Sequence, residues 1–182
     1  MTHMSRFGIL LSFATILAAC GGGGDGGTAG GGTNQFLTPG THKLTFSAIS
    51  TARLDAPISA IDVAVKFPAG ISVSTPTGGT GQITDASITP GSAMLTTSLT
   101  FGNYSASTRT AYLSMATTQE TLRGGQFVNL LFTVAPGTSI MPEDIYALNA
   151  TYPKYTVVGI DTVTHSSVTM TGSVKTTLSV TP

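Results

Sequence analysis

The chain has 182 residues with eight basic and eight acidic side chains, and only 9% of its positions are charged. There is no basic run and no Lys/Arg stripe, so the electrostatic footprint that nucleic acid requires is missing. Cys20 is the single cysteine, which excludes an intrachain disulfide and leaves no second thiol for metal binding or redox chemistry. Thr, Ser, Gly, Ala and Val dominate, a composition that favours β-structure exposed through hydroxyls rather than charges.

The N-terminus carries the clearest signal. Arg6 precedes an apolar run from Phe7 to Ile16, of signal-peptide length and too short to span a bilayer comfortably. It ends in Leu17-Ala18-Ala19-Cys20, which resembles the lipobox of bacterial lipoproteins: a branched apolar residue, two small residues, then cysteine. That resemblance implies removal of residues 1–19 and a diacylglyceryl thioether on Cys20, with no other cofactor. More than one acyl chain is needed for a stable anchor, at roughly 0.8 kcal/mol per buried methylene. Gly21 to Gly32 is nearly all glycine, and residues 20–39 read as a lipidated, flexible tether. A Gly-rich coil of about 18 residues reaches roughly 25 Å, enough to hold a domain clear of lipid headgroups. Gly21 follows the cysteine where, in enteric bacteria, an aspartate would favour inner-membrane retention, so in a Gram-negative source the resemblance implies the outer membrane or cell surface ahead of the inner membrane.

Residues 40–182 have the length of one domain. Leu44, Phe46 and Ala48 alternate with polar residues, as do Ile61, Val63, Val65 and Phe67. The series Leu95, Thr97, Leu99, Phe101 repeats the pattern, followed by Ala111, Leu113, Met115 and then Val128, Leu130, Phe132, Val134. Shorter apolar groups follow at Val157-Val158, Ile160 and Val163, at Val168 and Met170, and at Val174, Leu178 and Val180. Period-two alternation predicts strands with one face on a core and the other in water. Gly78-Gly79, Pro90-Gly91, Gly102-Asn103, Gly124-Gly125 and Pro136-Gly137 supply predicted turns. Pro142-Glu143-Asp144-Ile145 predicts one helical turn and no more. The expected fold is an all-β antiparallel sandwich.

The order of these segments resembles the cohesin domain, a jelly-roll sandwich of about nine strands related to carbohydrate-binding modules. The resemblance rests on Ile58 to Pro68 with Gly70-Ile71-Ser72-Val73, on Gly125 to Val134, and on the closing segment from Gly172 to Leu178. It implies a non-catalytic module that binds a protein partner, of dockerin type or another, through one sheet face. A polysaccharide ligand is the alternative. The strand from Arg109 to Thr118 and its neighbours form the expected face, with Asn103, Tyr104, Arg109 and Tyr112 as candidate anchors. The close spacing of Tyr146, Tyr152 and Tyr155 makes Tyr152 and Tyr155 the candidates for stacking sugar rings in a chain without tryptophan.

Catalytic patterns are missing from the sequence. His42 and His165 are far apart with no ligand at metal spacing, and they read as strand histidines, exposed or hydrogen-bonded. No Gly-x-Ser-x-Gly elbow exists, and Glu120 and Glu143 give no sign of converging as a glycosidase pair would. Gly78-Gly79-Thr80-Gly81 lacks the lysine and following helix of a phosphate loop. Asp144 and Asp161 could contribute to a calcium site only without the regular acidic spacing of a calcium loop. No metal site and no enzyme activity are expected.

Overall fold

The computed structural model describes residues 35–151 and 154–181. The chain forms β1 (Gly40–Ser50), β2 (Ile58–Lys66), β3 (Ile71–Ser72), β4 (Ile88–Pro90) and β5 (Leu99–Ser105). It continues with β6 (Thr110–Ala116), β7 (Gly125–Val134), α1 (Pro142–Leu148), β8 (Lys154–Ile160), β9 (Ser167–Thr169) and β10 (Val174–Thr181). These ten strands make two antiparallel sheets. One has the order β10-β1-β7-β3, with β4 also on β7, and the other runs β5-β6-β2-β8-β9. The protein is an all-β sandwich, with ten strands among the described residues where about nine were expected.

The core is the shared inner face. Leu44, Phe46 and Ala48 of β1 and Leu130, Phe132 and Val134 of β7 meet Ile61, Val63 and Val65 of β2 and Leu113 and Met115 of β6. Period-two alternation places these residues inward because successive side chains leave a strand on opposite sides. Phe67, just beyond β2, bridges the layers: its ring centroid lies 5.6 Å from that of Phe132 in the other sheet.

Two irregularities add core residues that strict alternation omits. The β1–β7 register shifts between Phe46 and Ser47, pairing Phe46 with Val128 and Ser47 with Gln126. Phe127 is therefore the extra residue of a bulge, and both Phe127 and Val128 are buried. A like shift in the β2–β8 pair, between Ile58 and Ala60, lets Ile58 and Ile61 both face inward.

Three local expectations change. The folded part begins before Gly40: Leu37 is only 3% exposed, and its N–H donates to the Ile140 carbonyl at 2.8 Å. The glycine-rich residues up to 34, and Cys20 with the lipid expected on it, lie outside the described residues. The helix at Pro142 extends to Leu148, two turns rather than one. Asp144 Oδ2 accepts from the Met141 N–H at 2.8 Å, closing its first turn. Finally, Gly102-Asn103 is not a turn but the middle of β5. A Cβ at Gly102 would stand 2.7 Å from the Tyr112 carbonyl oxygen, so glycine here serves close packing between strands.

Asn149 ties the helix to the sandwich. It is buried, and its side chain copies the pairing of a neighbouring strand. Oδ1 accepts from the Lys66 N–H at 2.9 Å, while Nδ2 donates to the Lys66 carbonyl at 2.8 Å. Nδ2 also donates to the Ile145 carbonyl of α1, at 2.8 Å. Asn149→Ala would strand buried backbone groups and is expected to cost roughly 2–3 kcal/mol. A parallel shift of the urea midpoint at unchanged slope checks this.

Candidate functional site

The two outer faces of the sandwich differ in chemistry. On the β10-β1-β7 sheet, cross-strand rows bring Thr181, Lys43 and Leu131 together, then Ser179, Thr45 and Asn129. Thr45 Oγ1 donates to Asn129 Oδ1 at 2.9 Å, and Asn129 Nδ2 donates to the Pro90 carbonyl. This face is mostly hydroxyl-bearing, with Thr45 and Asn129 bonded to each other and Ile49 and Leu131 as its exposed apolar residues.

The outer face of the second sheet is apolar along one side. Leu99 and Phe101 of β5 are 65% and 54% exposed, and Tyr112 of β6 is 54% exposed. The registers set out the rows. Leu99 stands beside Ala116, which pairs with Ala60, which pairs with Val158. Phe101 lies beside Ser114, then Asp62 and Thr156. Asn103 faces Tyr112, then Ala64 and Lys154. Alanines at the centre of a sheet flanked by larger side chains make a shallow trough. A depression of about 770 Å³ lies at the Ala64 end of this face, lined among others by Asp62, Tyr112, Ser114, Lys154, Tyr155 and Thr156; Leu99 and Phe101 lie outside it. Its polar floor is ordered by Ser114 Oγ, which donates to Asp62 Oδ1 at 2.6 Å. The face thus carries an apolar strip of Leu99 and Phe101 along β5 and, beside it, a depression with a polar floor and Lys154 at its end.

The inverted pattern of β5 has a physical cause. Ile83, from the long connection before it, is buried beneath the strand and donates its N–H to the Gly102 carbonyl at 2.8 Å. The Tyr104 N–H returns a bond to the Gly81 carbonyl at 2.7 Å. With Ile83 occupying the inner volume, the inward position at its level must be small, and Gly102 supplies that. Leu99 and Phe101 are turned to solvent instead of to the core, where their alternation placed them.

The sequence-selected anchors separate into groups. Asn103 and Tyr112 are direct cross-strand neighbours on the exposed face. Tyr104 is not on it: the ring is 8% exposed, sits edge-on to Phe67 at 6.4 Å, and donates its hydroxyl to the Ile71 carbonyl at 3.1 Å. Neighbouring residues in a strand point opposite ways, so Asn103 and Tyr104 cannot share a surface. Arg109 lies in the β5–β6 turn with φ of 51°, and its Nε donates to the Phe67 carbonyl at 3.3 Å. It braces that turn and is not within the rows of the face.

Tyr155 pairs with the inward residue Val63 and packs half-buried against the core. The Tyr146 hydroxyl accepts from the Val180 N–H at 3.0 Å, and Tyr152 lies outside the described residues. No tyrosine platform is assembled from Tyr146 and Tyr155. No known family model, curated protein or solved structure matches this chain.

The remaining polar candidates serve the fold. His42 is buried, its Nε2 is 2.7 Å from the Thr38 carbonyl oxygen, and its ring stacks on Phe132. His165 is exposed in the β8–β9 connection with φ of 55°. Asp161 Oδ1 accepts from the N–H groups of Val163 and Thr164 at 2.8 and 2.7 Å, and these bonds hold its pKa below the ordinary carboxylate value. Asp144 is committed to the helix start, and among the described residues no group of three acidic, His or Cys side chains converges.

Sequence reasoning missed Leu99, Phe101 and Asp62 as site residues. The available signal was the composition of β5 itself, with Leu and Phe on one side against Thr, Gly and Tyr on the other. Burial raises the Tyr104 phenol above its ordinary value of 10.0, partly offset by the Arg109 charge. The unfolded phenol ionises first, so stability present below pH 10 declines as pH rises through the folded value. Tyr104→Phe is expected to cost about 1 kcal/mol at neutral pH and to flatten the alkaline limb of a stability-against-pH curve.

Proposed function

We propose that this chain is a membrane-tethered, non-catalytic binding module that docks a protein partner on the outer face of the β5-β6-β2-β8-β9 sheet. The observation that carries this reading is the exposed wall of Leu99, Phe101 and Tyr112 beside a floor of alanines. Contiguous apolar side chains rimmed by polar ones mark interaction sites on soluble domains, and aromatic anchors dominate interface energetics. The opposite face is mostly hydroxyl-bearing, and its exposed apolar residues, Ile49 and Leu131, include no aromatic ring. Lipidation at Cys20 and a glycine tether would present such a face at the outer membrane or cell surface, as the lipobox resemblance implies. A cohesin-like role with a dockerin-type or other partner fits this arrangement, because the expected partner face is the β6 strand and its neighbours.

A polysaccharide ligand is the second reading, and it rests on Asn103 beside Tyr112, an amide next to an exposed ring. Rings stack on sugars and amides bond their hydroxyls, so the pair is a minimal glycan contact. A glycan array read with wild type and Tyr112→Ala distinguishes the two.

Phe101→Asp and Tyr112→Ala alter exposed side chains and are expected to leave the unfolding midpoint nearly unchanged. Each is expected to weaken partner capture by roughly 30-fold, the scale of a hot-spot residue. Thr133→Asp on the opposite face should leave capture intact. If every protein captured from the native host is indifferent to Phe101→Asp, the reading fails. Metabolic labelling with a fatty acid is expected to mark the wild-type chain and to vanish in Cys20→Ser; labelling that survives removes the tether from the proposal.

A further inference from the structure

The chain enters the sandwich through the middle of a sheet. Leu37 is buried with its N–H on the Ile140 carbonyl, and only Thr38 and Pro39 separate it from β1. Strand β1 then runs between two neighbours: β7 pairs with it from Gly40 to Ala48, and β10 from Lys43 to Ser50. Every residue of the strand is therefore held on at least one side, and Lys43 to Ala48 on both.

Contacts between the layers show which strand ends lie together. Phe67, just after β2, touches Phe132, the partner of His42 near the start of β1, and Tyr104 reaches Phe67 from the end of β5. At the opposite end Ser50 Oγ donates to the Arg123 carbonyl, and the Ile58 N–H donates to the Leu122 carbonyl at 2.8 Å. Gly40 thus lies at one end of the sandwich, while Leu99 and Phe101, which open β5, lie toward the other. Thr181, opposite Lys43, is at the same end as Gly40.

We infer that β1 is a load-bearing strand, which carries force along its axis between the N-terminal tether and a partner on the Leu99–Phe101 strip. The direction of that load comes from the tether and docking reading proposed above. A pull on Gly40 away from Leu99 runs along β1, and the ladder bonds of an antiparallel sheet lie across the strands. All of them are then loaded together, sideways, instead of one after another. Side chains oppose the same motion. Sliding β1 by one residue would exchange its buried and exposed faces. Sliding it by two would force Phe46 into the place of Leu44 in a close-packed core. The bulge at Phe127 fixes the register again on the β7 side. A pull between Gly40 and Thr181 acts differently. These residues lie at the same end, and β10 is the outermost strand of its sheet. It would peel from β1 one pair at a time from Thr181 inward, breaking the Tyr146 bond to Val180 on the way.

The test is single-molecule stretching of the full chain carrying Cys20→Ser, held at its N-terminus and either at Leu99→Cys, an exposed position, or at its C-terminus. Rupture under load reports the unfolding barrier rather than the equilibrium stability, so one fold gives two values. The force is expected to be higher with the handle at position 99 than with the handle at the C-terminus. A disulfide formed by Ser47→Cys with Thr177→Cys, directly opposed on β1 and β10, stops the peeling part-way and is expected to raise the C-terminal force. Equal forces in the two geometries, a lower force from position 99, or a C-terminal force unchanged by the disulfide overturns the inference. No partner is needed for these measurements, so such a result leaves the docking reading standing, whereas capture that ignores Phe101→Asp removes the docking reading alone.

Discussion

The contact of Phe67 with Phe132 joins the two sheets, and much of the rest is arranged around it. Phe67 leaves the end of β2, reaches Phe132 in the middle of the opposite layer, and receives Tyr104 edge-on from β5. Its own backbone is held as well: the N–H donates to the Arg109 carbonyl, and the carbonyl accepts from Arg109 Nε. Burying a side chain of this size contributes roughly 1.5–3 kcal/mol. The position matters more than the sum, because no disulfide within the domain is available to hold the layers together. The sandwich therefore depends on packing alone, and its closest inter-sheet aromatic contact is also the point to which the β5–β6 turn is pinned.

That pinning has a consequence on the outside. Tyr104 faces inward to reach Phe67 and the Ile71 carbonyl, and Ile83 fills the volume beside Gly102. Since side chains alternate along a strand, Asn103 and Phe101 must then face out. The exposed apolar wall is the other side of a strand whose inner face is already occupied. The opposite sheet shows the complementary arrangement. There β7 is flanked on both sides, its outward Asn129 is bonded to Thr45 and the Pro90 carbonyl, and most of the other outward residues carry hydroxyls.

Much of the fold was legible in the sequence. Alternation in β1, β2, β6 and β7 placed the core residues correctly, because these strands have one buried face and one wet face. The errors fall where that condition fails. In β5 the apolar residues face solvent, since a distant loop residue takes the inner space, and no local pattern records that. Phe127 and Ile58 were hidden by bulges, which shift the period by one residue. Gly102 was read as a turn because glycine marks both turns and close approaches between strands, and only a neighbour's position separates the two. Of the site, Asn103 and Tyr112 were legible as exposed residues of the right chemistry. Tyr104, adjacent in sequence, was assigned to the same surface and lies on the other.

By itself the sequence determined the class of the chain: sparse charge, one cysteine, a glycine tract and strands of period two. These are local properties, set by residue type and spacing, and they need no knowledge of neighbours. The tertiary structure alone decided which side of each strand is outside. It turned Leu99 and Phe101 outward, put Tyr104 and Tyr155 against the core, and made Asn149 the pin of a helix. Each of these depends on what lies across a sheet or between the layers, and long-range contacts are what a linear pattern of residue types does not encode.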